Sequence, residues 1–586
     1  MNLDPHQAAA ATTTAKRVAV SAAPGSGKSR TVVARFEHMR TVLHIPAAHI
    51  ILCTFTRYGA KVMSDRIGNS LRGAFCGTFH AFALMLIKMY GQSRGFEGHW
   101  LSLLDPCETD EEEKAILKDF GFINSRGAWS RGCTDTLWSR FKDRILGGVI
   151  DLAGELEGLD KDLALVWKTL MDRLRAENAL TFDALILEAL ELFKDADTAA
   201  RIRSRFQHVI GDEMQDASGL EWKMIAALQP ETTFLVADPD QAIYEWRLAQ
   251  PRLFIGYATS PDTTHYELNQ SYRFGVNIAA PANALIKHNV SRLDKAINAI
   301  ASNEGSVRVI KDAQYSDIAS TIREELQSGT APQDIVVLAR RHATLVELAS
   351  VLEGERIPFT RIQGGKDALP KTGAFRTVKG YLRLAVNPND RRAFMAIATA
   401  ERISTLDLME LRSRANSEHL SLAEAYGKDL PKDLGAIQAR LHDQDPTTDY
   451  GPSLEWIRGI VLFEAISDPA ELVEYLTMED MQDQTRNVQD TVTLGTVHFS
   501  KGGEWKVVFV VGLNLAQFPS PRARKEGRIE EERRLLFVAI SRAMETCYLV
   551  QHVPETFEDG PSQFLSEIGD VTQREIDPFK GDNLVY

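Results

Sequence analysis

The residues best suited to chemistry lie in Val18 to Thr31, VAVSAAPGSGKSRT. An apolar, β-prone run (Val18-Ala19-Val20) enters a loop of small residues and leaves through Gly27-Lys28-Ser29 into a helix start. Ala22 to Ser29 meet the phosphate-loop pattern GxxxxGK[ST] except at its first position, where Ala22 stands for Gly. Such a loop turns successive backbone N–H groups inward, and with the following helix N-terminus they cradle triphosphate oxygens. Lys28 would reach the β- and γ-phosphates, and the Ser29 hydroxyl would ligate Mg²⁺. The competing reading is a glycine-rich turn that only joins strand to helix. A second constellation favours the first: the apolar run Phe206 to Gly211 ends in Asp212-Glu213. A strand-end Asp completes a Mg²⁺ shell, and the next Glu can polarise an attacking water. Gln241, in DPDQAIYEWR (238–247), carries an amide able to sense a γ-phosphate or position that water.

A different set of side chains suits nucleic acid. Tyr244 and Trp246 stand two apart, so in an extended chain both face one side, as a base-stacking platform requires. Thr54-Phe55-Thr56-Arg57 and Gly77-Thr78-Phe79-His80 also put a ring and polar groups at strand ends, where ligands gather in open α/β sheets. Phe55, Phe79 and His80 are therefore candidates, with core packing the alternative for a lone Phe. Tyr272-Arg273 sets an aromatic ring beside a guanidinium, and the Gln7 amide could pair with the N6/N7 edge of adenine or simply be solvated.

These groups need strands to carry them. Apolar runs predict strands at 18–20, His49 to Thr56, Gly77 to His80, Phe206 to Gly211 and Thr233 to Ala237. A second β-α pattern follows: Ser306 to Ile310, Asp334 to Leu338, Thr491 to His498 and Val507 to Gly512, then a helix from Glu530 to Ala543. Two stretches, about 86–195 and 392–487, lose this alternation and read as helical insertions. In the first, Glu108 to Glu113 reads as a solvated helix start. Arg126, Arg131, Arg140, Lys142 and Arg144, interleaved with Trp129, Trp138 and Phe141, read equally as a nucleic-acid surface or an amphipathic helix.

The bulk numbers set bounds. A chain of 586 residues exceeds one core, so three or four domains are expected. With 44% hydrophobic and 25% charged residues, neither disorder nor a fibrous fold is indicated. No apolar run is long enough to span a bilayer, and MNLDPHQAAA lacks the basic flank of a signal peptide. Five scattered cysteines without a CxxC pair fit a reducing cytoplasm and argue against a structural metal. A net charge of −13 neither advertises nor excludes nucleic acid, since a motor that releases its track needs only a local basic groove.

Taken in order, these segments resemble the superfamily 1 DNA helicases of the UvrD/Rep type. LDPHQ is similar to the family's adenine-reading motif, APGSGKS to its phosphate loop, and TFTRYGAKVM and GTFH to its first DNA-contact motifs. IGDEMQD, DPDQAIYEWR, QSYRF, TVHFSKGGEW and EERRLLFVAISRA resemble motifs II to VI. Fainter echoes are Gln363-Gly364-Gly365 and Gly380 to Leu384.

The resemblance implies an α/β fold of two RecA-like, parallel-sheet motor domains, each with a mainly helical insertion. The ATP-binding motor domain 1A would take residues 1–86 and 196–283, its insertion 1B 87–195, motor domain 2A 284–391 and 488–586, and a short insertion 2B 392–487. ATP would be held by Gln7, Ala23, Pro24, Gly25, Ser26, Gly27, Lys28, Ser29, Arg30, Tyr272 (stacking on adenine) and Glu504 (at the sugar). Ser29 and Asp212 would hold Mg²⁺, and Lys28, Asp212, Glu213 (as base), Gln241, Arg273 and Arg542 would be catalytic. The two arginines would act as fingers from opposite sides of an inter-domain cleft. Thr54, Phe55, Arg57, Thr78, Phe79, His80, Tyr244, Trp246, Arg247 and His498 would contact single-stranded DNA.

The implied activity is ATP-driven translocation along single-stranded DNA, 3′ to 5′, with unwinding at single-strand/duplex junctions during replication, repair or recombination. The implied setting is cytoplasmic, nucleoid-associated and prokaryotic or phage-like. Pro239, Glu245, Phe499 and Ser500 depart from the family pattern, and Glu245 adds a negative charge beside a stacking pair. The second insertion, about 95 residues, is short for the family and no long tail follows. A motor subunit dependent on a nuclease or replication partner therefore stays open, as does an ATP-gated clamp or protein-displacing factor.

Overall fold

In parallel sheets both faces are covered, so their strands are continuous apolar runs rather than alternating ones. The computed structural model, which describes residues 3–98, 101–150, 154, 156–362, 372–464, 466, 468–477, 490–553, 559–569 and 572–574, builds two such sheets. The first contains β1 (Arg17–Ala22), β2 (Ile50–Thr54), β3 (Phe75–Thr78), β4 (His208–Gly211), β5 (Thr232–Ala237) and β6 (Thr264–Leu268), in the order β3-β2-β4-β5-β1-β6. All pairings are parallel. In register, Ser21 faces Ala237 and Gly211 faces Leu235, so the carboxyl ends of β1, β5 and β4 lie side by side. This neighbourhood brings the phosphate loop, Asp212-Glu213 and Asp238 to Gln241 together across about 190 residues of intervening sequence.

The second sheet is built from β7 (Ser306–Ala313), β8 (Ile335–Ala339), β9 (Phe359–Arg361), β10 (Val492–Thr496), β11 (Trp505–Val511), β12 (Ala543–His552) and β13 (Thr572–Arg574). Its order is β9-β10-β8-β11-β12-β7-β13, again parallel throughout. One apolar core joins the sheets: Ala23, Ile243 and Tyr244 pack in the same cluster as Ile278, Val336, Val497, Val508, Leu535 and Ile540. The two sheets thus form one unit, residues 1–82, 195–363 and 482–586.

Among its described residues the second unit, residues 83–194 and 364–481, is mainly helical, with one short parallel pair, Ser102–Leu104 beside Ala179–Thr181. Helix Gly373–Val386, which the sequence reading placed with the second sheet, packs in this unit against helices Arg391–Ala398, Gly451–Glu464 and Pro469–Thr477. Its buried Phe375, Val378, Tyr381 and Leu382 are the reason, since they complete the apolar core of this unit. Gln363-Gly364-Gly365 and the predicted boundary at 487 lie outside the described residues.

Two open readings of the first insertion are decided by burial. Trp138 and Phe141 are core residues, and Glu113 accepts from both Trp138 Nε1 (2.8 Å) and Lys142 (2.7 Å). Arg144 pairs with Asp160 at 2.7 Å and Arg131 stands 3.5 Å from Asp162. From Asp135 on, the aromatic-basic stretch is an amphipathic helix, Asp135–Leu146, with Trp138 and Phe141 facing the core; Arg126, Trp129 and Arg131 precede it. Glu108 to Glu113 does begin a helix, Pro106–Asp119, capped by Asp105; Asp110 and Glu111 are exposed, but the run is not solvated throughout. Glu108 binds Arg383 (2.6 Å), Glu112 binds Arg392 (2.8 Å) and Glu113 is buried.

Candidate active site

The phosphate loop follows β1 directly. Ala22 sits in regular strand backbone at the end of β1, fully buried, so nothing there demands Gly. Gly25 (φ 73°) and Gly27 (φ 79°) are different. Besides their left-handed backbone, a Cβ on Gly25 would come within 2.6 Å of Arg273 Cβ, and one on Gly27 within 2.6 Å of Gln7 Nε2. Helix Lys28–Thr41 starts immediately after, which aims its free N–H groups at the loop. Ala23, Pro24 and Ser26 are buried, whereas Arg30 is exposed. The Ser26 hydroxyl is buried without a hydrogen-bond partner in the described residues.

Gln7 and Tyr272 flank this loop, as an adenine pocket needs. Gln7 is buried; its Nε2 donates to the Ser26 carbonyl (2.9 Å) and its Oε1 accepts from Asp4 N–H (3.2 Å). One N–H and one lone pair of the amide stay uncommitted by these two bonds. Tyr272 N–H donates to the Gly25 carbonyl (3.0 Å), its hydroxyl to Asp4 (2.8 Å), and its ring is 45% exposed.

The acidic end is buried and electrostatically divided. Asp212 N–H donates to the Cys53 carbonyl (2.8 Å), and Glu213 adopts a left-handed backbone (φ 55°) that turns its carboxylate toward Lys28, 3.4 Å away. Burial, then the charge of Glu213, pushes the Asp212 carboxyl up to about 7. Burial works against the Glu213 charge too, but Lys28 and Lys501 outweigh it and hold this carboxyl down to about 2. Asp212 makes no ion pair with the described residues; a buried carboxylate of this kind, with the Ser29 hydroxyl, would suit a hard divalent cation that takes its remaining ligands from phosphate and water.

Arg542, after the second-sheet helix Ile529–Ile540, and Arg273, after β6 of the first sheet, complete the cleft. Arg542 is buried and donates to the Gln241 Oε1 (2.7 Å), the Gly503 carbonyl (3.2 Å), the Val538 carbonyl (3.1 Å) and the Ser541 hydroxyl (3.2 Å). All four acceptors are neutral, and burial followed by repulsion from Arg273 pulls its pKa down to about 9. Arg273 donates to Glu504 (2.8 Å) and to the Ser541 carbonyl (2.9 Å). Gln241 also donates to Asp238, which holds Lys295 in an ion pair, while Lys295 reaches back to the Ala22 carbonyl (3.1 Å).

One residue the sequence reading left without a role sits at the junction. Lys501 pairs with Asp216, donates to the Gln241 carbonyl (2.9 Å) and lies 4.9 Å from the Tyr244 ring centre. Its position in TVHFSKGGEW was the available signal.

The strand-contact candidates divide by exposure. Phe55 and Tyr244 stack (5.1 Å, 23°), Trp246 meets the His498 ring edge-on (6.0 Å, 85°), and Arg247 lies 5.6 Å from the Trp246 ring centre. The predicted extended run is absent: Glu245–Arg247 form a 3₁₀ turn, which buries Tyr244 and leaves Trp246 59% exposed. Tyr244 instead donates to the His498 carbonyl (3.3 Å). Thr54, Thr78 and Phe79 are buried too, so in this conformation they support the surface rather than form it. Phe55, Arg57, His80 and His498 are half-buried, and burial pulls the His498 ring down to about 3, leaving it neutral at pH 7. The added charge of Glu245 is neutralised by Arg534.

No helix in the described residues is long and apolar enough to cross a membrane, and no His/Cys/Asp/Glu group there could by itself hold a metal ion. Residues 3–260 match the UvrD/REP helicase N-terminal domain, and residues 266–424 and 462–553 the UvrD-like helicase C-terminal domain. Among curated proteins the chain is 26% identical to a probable DNA helicase II homolog of Mycoplasma capricolum, covering 97% of this chain and 87% of that protein. It is likewise 26% identical to the ATP-dependent DNA helicase PcrA of Staphylococcus epidermidis (97% and 86% covered) and to the ATP-dependent DNA helicase Rep of Salmonella typhimurium (97% and 94%). With the N-terminal and C-terminal domain models together matched over most of its length, this chain belongs to the UvrD/Rep helicase family.

Proposed function

We propose that the protein is an ATP-dependent DNA helicase that steps along single-stranded DNA 3′ to 5′ and opens duplex at junctions, in replication, repair or recombination in the cytoplasm. The observation that carries the coupling is the Gln241–Arg542 hydrogen bond, which joins the sheets at 2.7 Å. Three to five residues beyond Gln241, the same segment holds Tyr244 and Trp246. ATP site and strand surface thus share one short stretch of chain.

The roles follow from what each group holds before nucleotide arrives. Lys28 is the countercharge of Glu213, and a γ-phosphate would draw it away, freeing Glu213 to accept a proton from the attacking water. Ser29 and Asp212 would hold Mg²⁺, which supplies charge neutralisation to the phosphates. Arg273 would trade Glu504 for phosphate oxygen, leaving Glu504 for the sugar, and Arg542 would trade neutral acceptors for a developing charge. Because Arg542 comes from the second-sheet side, its exchange draws that side toward the phosphate loop while Arg273, on the first-sheet side, lets go of Glu504; hydrolysis and release then reset the segment that carries Trp246. Phe55, His80, Trp246, Arg247 and His498 would contact bases and phosphates, with Thr54, Thr78, Phe79 and Tyr244 beneath them.

The test is unwinding of 3′-tailed, 5′-tailed and blunt duplexes with ATPase measured in parallel. Only 3′-tailed substrate should open. Trp246→Ala should keep DNA-stimulated ATPase but cut unwinding about tenfold, the cost of one lost stacking contact. Equal opening of all three substrates, or a Trp246→Ala variant that unwinds normally, defeats the proposal.

A further inference from the structure

Helix Ile529–Ile540 leads directly into Arg542, and most charged residues in its first turns are tied within their own half of the unit. Glu532 takes Arg340 through both oxygens (3.0 and 2.7 Å), and Arg533 takes Glu567 and Asn289. Arg534 is the exception. Its guanidinium, almost wholly buried, reaches the first sheet: Nε donates to the Ala242 carbonyl (2.9 Å), and Nη2 pairs with Glu245, the residue just before Trp246. Glu530, the nearest alternative anion, is 3.8 Å away.

Segment 241–245 is therefore held twice by this helix and its end, at Gln241 by Arg542 and at Ala242 and Glu245 by Arg534. The turn that follows is strained. Leu248 occupies the left-handed region (φ 68°), which a branched side chain adopts at a cost and keeps only where the surroundings fix it. Backbone bonds from Arg247 and Ala249 N–H to the Tyr244 carbonyl (2.8 and 3.2 Å) close the turn, and the Glu245–Arg534 pair anchors its first residue.

We propose that Glu245 and Arg534 are positioning residues that transmit movement of the arginine-finger helix to Trp246, setting how many ATP molecules are spent per nucleotide moved. The inference rests on Trp246 being a strand contact. Neither residue touches nucleotide or reacting atoms, so the pair acts on coupling and not on the chemical step. A charge-assisted bond buried on one side holds direction as well as distance, which a lone surface pair does not.

The test compares full-length wild type, Glu245→Gln, Arg534→Gln, the double variant and Trp246→Ala. The readouts are DNA-free ATPase, thermal melting, and ATP hydrolysed per nucleotide in single-turnover translocation on oligothymidylates of increasing length. DNA-free ATPase and melting temperature of Glu245→Gln should stay near wild type. Its ATP cost per nucleotide should rise about threefold to tenfold, Arg534→Gln should match it, and the double variant should be no worse than either single, the signature of one shared interaction. Unchanged cost in Glu245→Gln while Trp246→Ala raises it overturns the inference and leaves the strand contact standing. Additive effects, or a cost that tracks lost melting temperature, overturn it as well. Unchanged cost in Trp246→Ala removes the strand-contact reading and the inference with it.

Discussion

Arg542 in the sheet unit and Arg383 in the helical unit are both buried, yet their surroundings are opposite. Arg383 has two carboxylates: Asp390 takes it through both oxygens (2.9 and 3.2 Å) and Glu108 through one (2.6 Å), with the Ser102 hydroxyl at 2.8 Å. Burial opposes its charge, but Asp390 and Glu108 outweigh this and raise its pKa. Arg542 has only neutral acceptors, and burial and Arg273 lower its pKa to about 9. A buried cation that is fully paired closes a packing problem; one left short of negative charge is poised for an anion that comes and goes. The same contrast separates Asp212, short of cations and pushed up to about 7, from Asp390, held low by Arg383 although burial opposes it. The difference separates a site from a strut.

The comparison is broken most sharply by removing each arginine. Arg542→Ala should lower DNA-stimulated kcat by about 10³-fold or more, as for other arginine fingers, with the fold kept. A loss under tenfold would place Arg542 among the struts. Arg383→Met should leave ATP hydrolysis intact while the protein is folded. It should cost about 3–5 kcal/mol of stability, because Asp390 would remain buried and Glu108 half-buried without their partner. Urea titration with hydrogen exchange in helix Gly373–Val386 measures this, and unchanged exchange would refute it.

A smaller effect sharpens the carboxylate side. Glu221 caps helix Gly219–Leu228, accepting Ser218 N–H at 2.6 Å, and burial pushes its carboxyl from 4.5 up to about 7. The folded state thus binds this proton more tightly than the unfolded chain. Stability from this group is fully present below pH 4.5 and is lost as pH rises through 7. Glu221→Gln keeps the accepting oxygen without the charge, so its unfolding free energy in urea titration should exceed wild type at pH 8 by on the order of 1 kcal/mol, and the gain should fade toward pH 5. A gain independent of pH would contradict the buried-charge account.

Much of this was legible in the chain. Continuous apolar runs such as Ile50–Thr54 and Ile335–Ala339 announced parallel strands, because sheets covered on both faces admit little else. Strand β12 was harder to see, since it opens Ala-Met-Glu-Thr directly after a helix and its apolar run, Cys547 to Val550, begins only at its fifth residue. The two-residue spacing of Tyr244 and Trp246 puts both rings on one side only in an extended chain; the 3₁₀ turn at Glu245–Arg247 separates them, because spacing gives facing only once the backbone conformation is known. Lys501 and Arg534 were within quoted motifs but had no visible partners, since Asp216 and Glu245 lie about 285 and 290 residues away.

By itself the sequence determined the local chemistry: the glycines that let backbone close on an anion, Lys28 and Ser29 behind them, the Asp212-Glu213 pair at a strand end, and the periodicities that build two parallel sheets. These depend on neighbours a few residues apart, where spacing fixes geometry. Only the tertiary structure decided which charges are neutralised. It pairs Glu108 and Glu112 with arginines and Glu113 with Lys142, cancels Glu245 with Arg534, and leaves Arg542 with neutral acceptors. Electrostatic energy depends on distance through space and on burial, and neither is written along the chain.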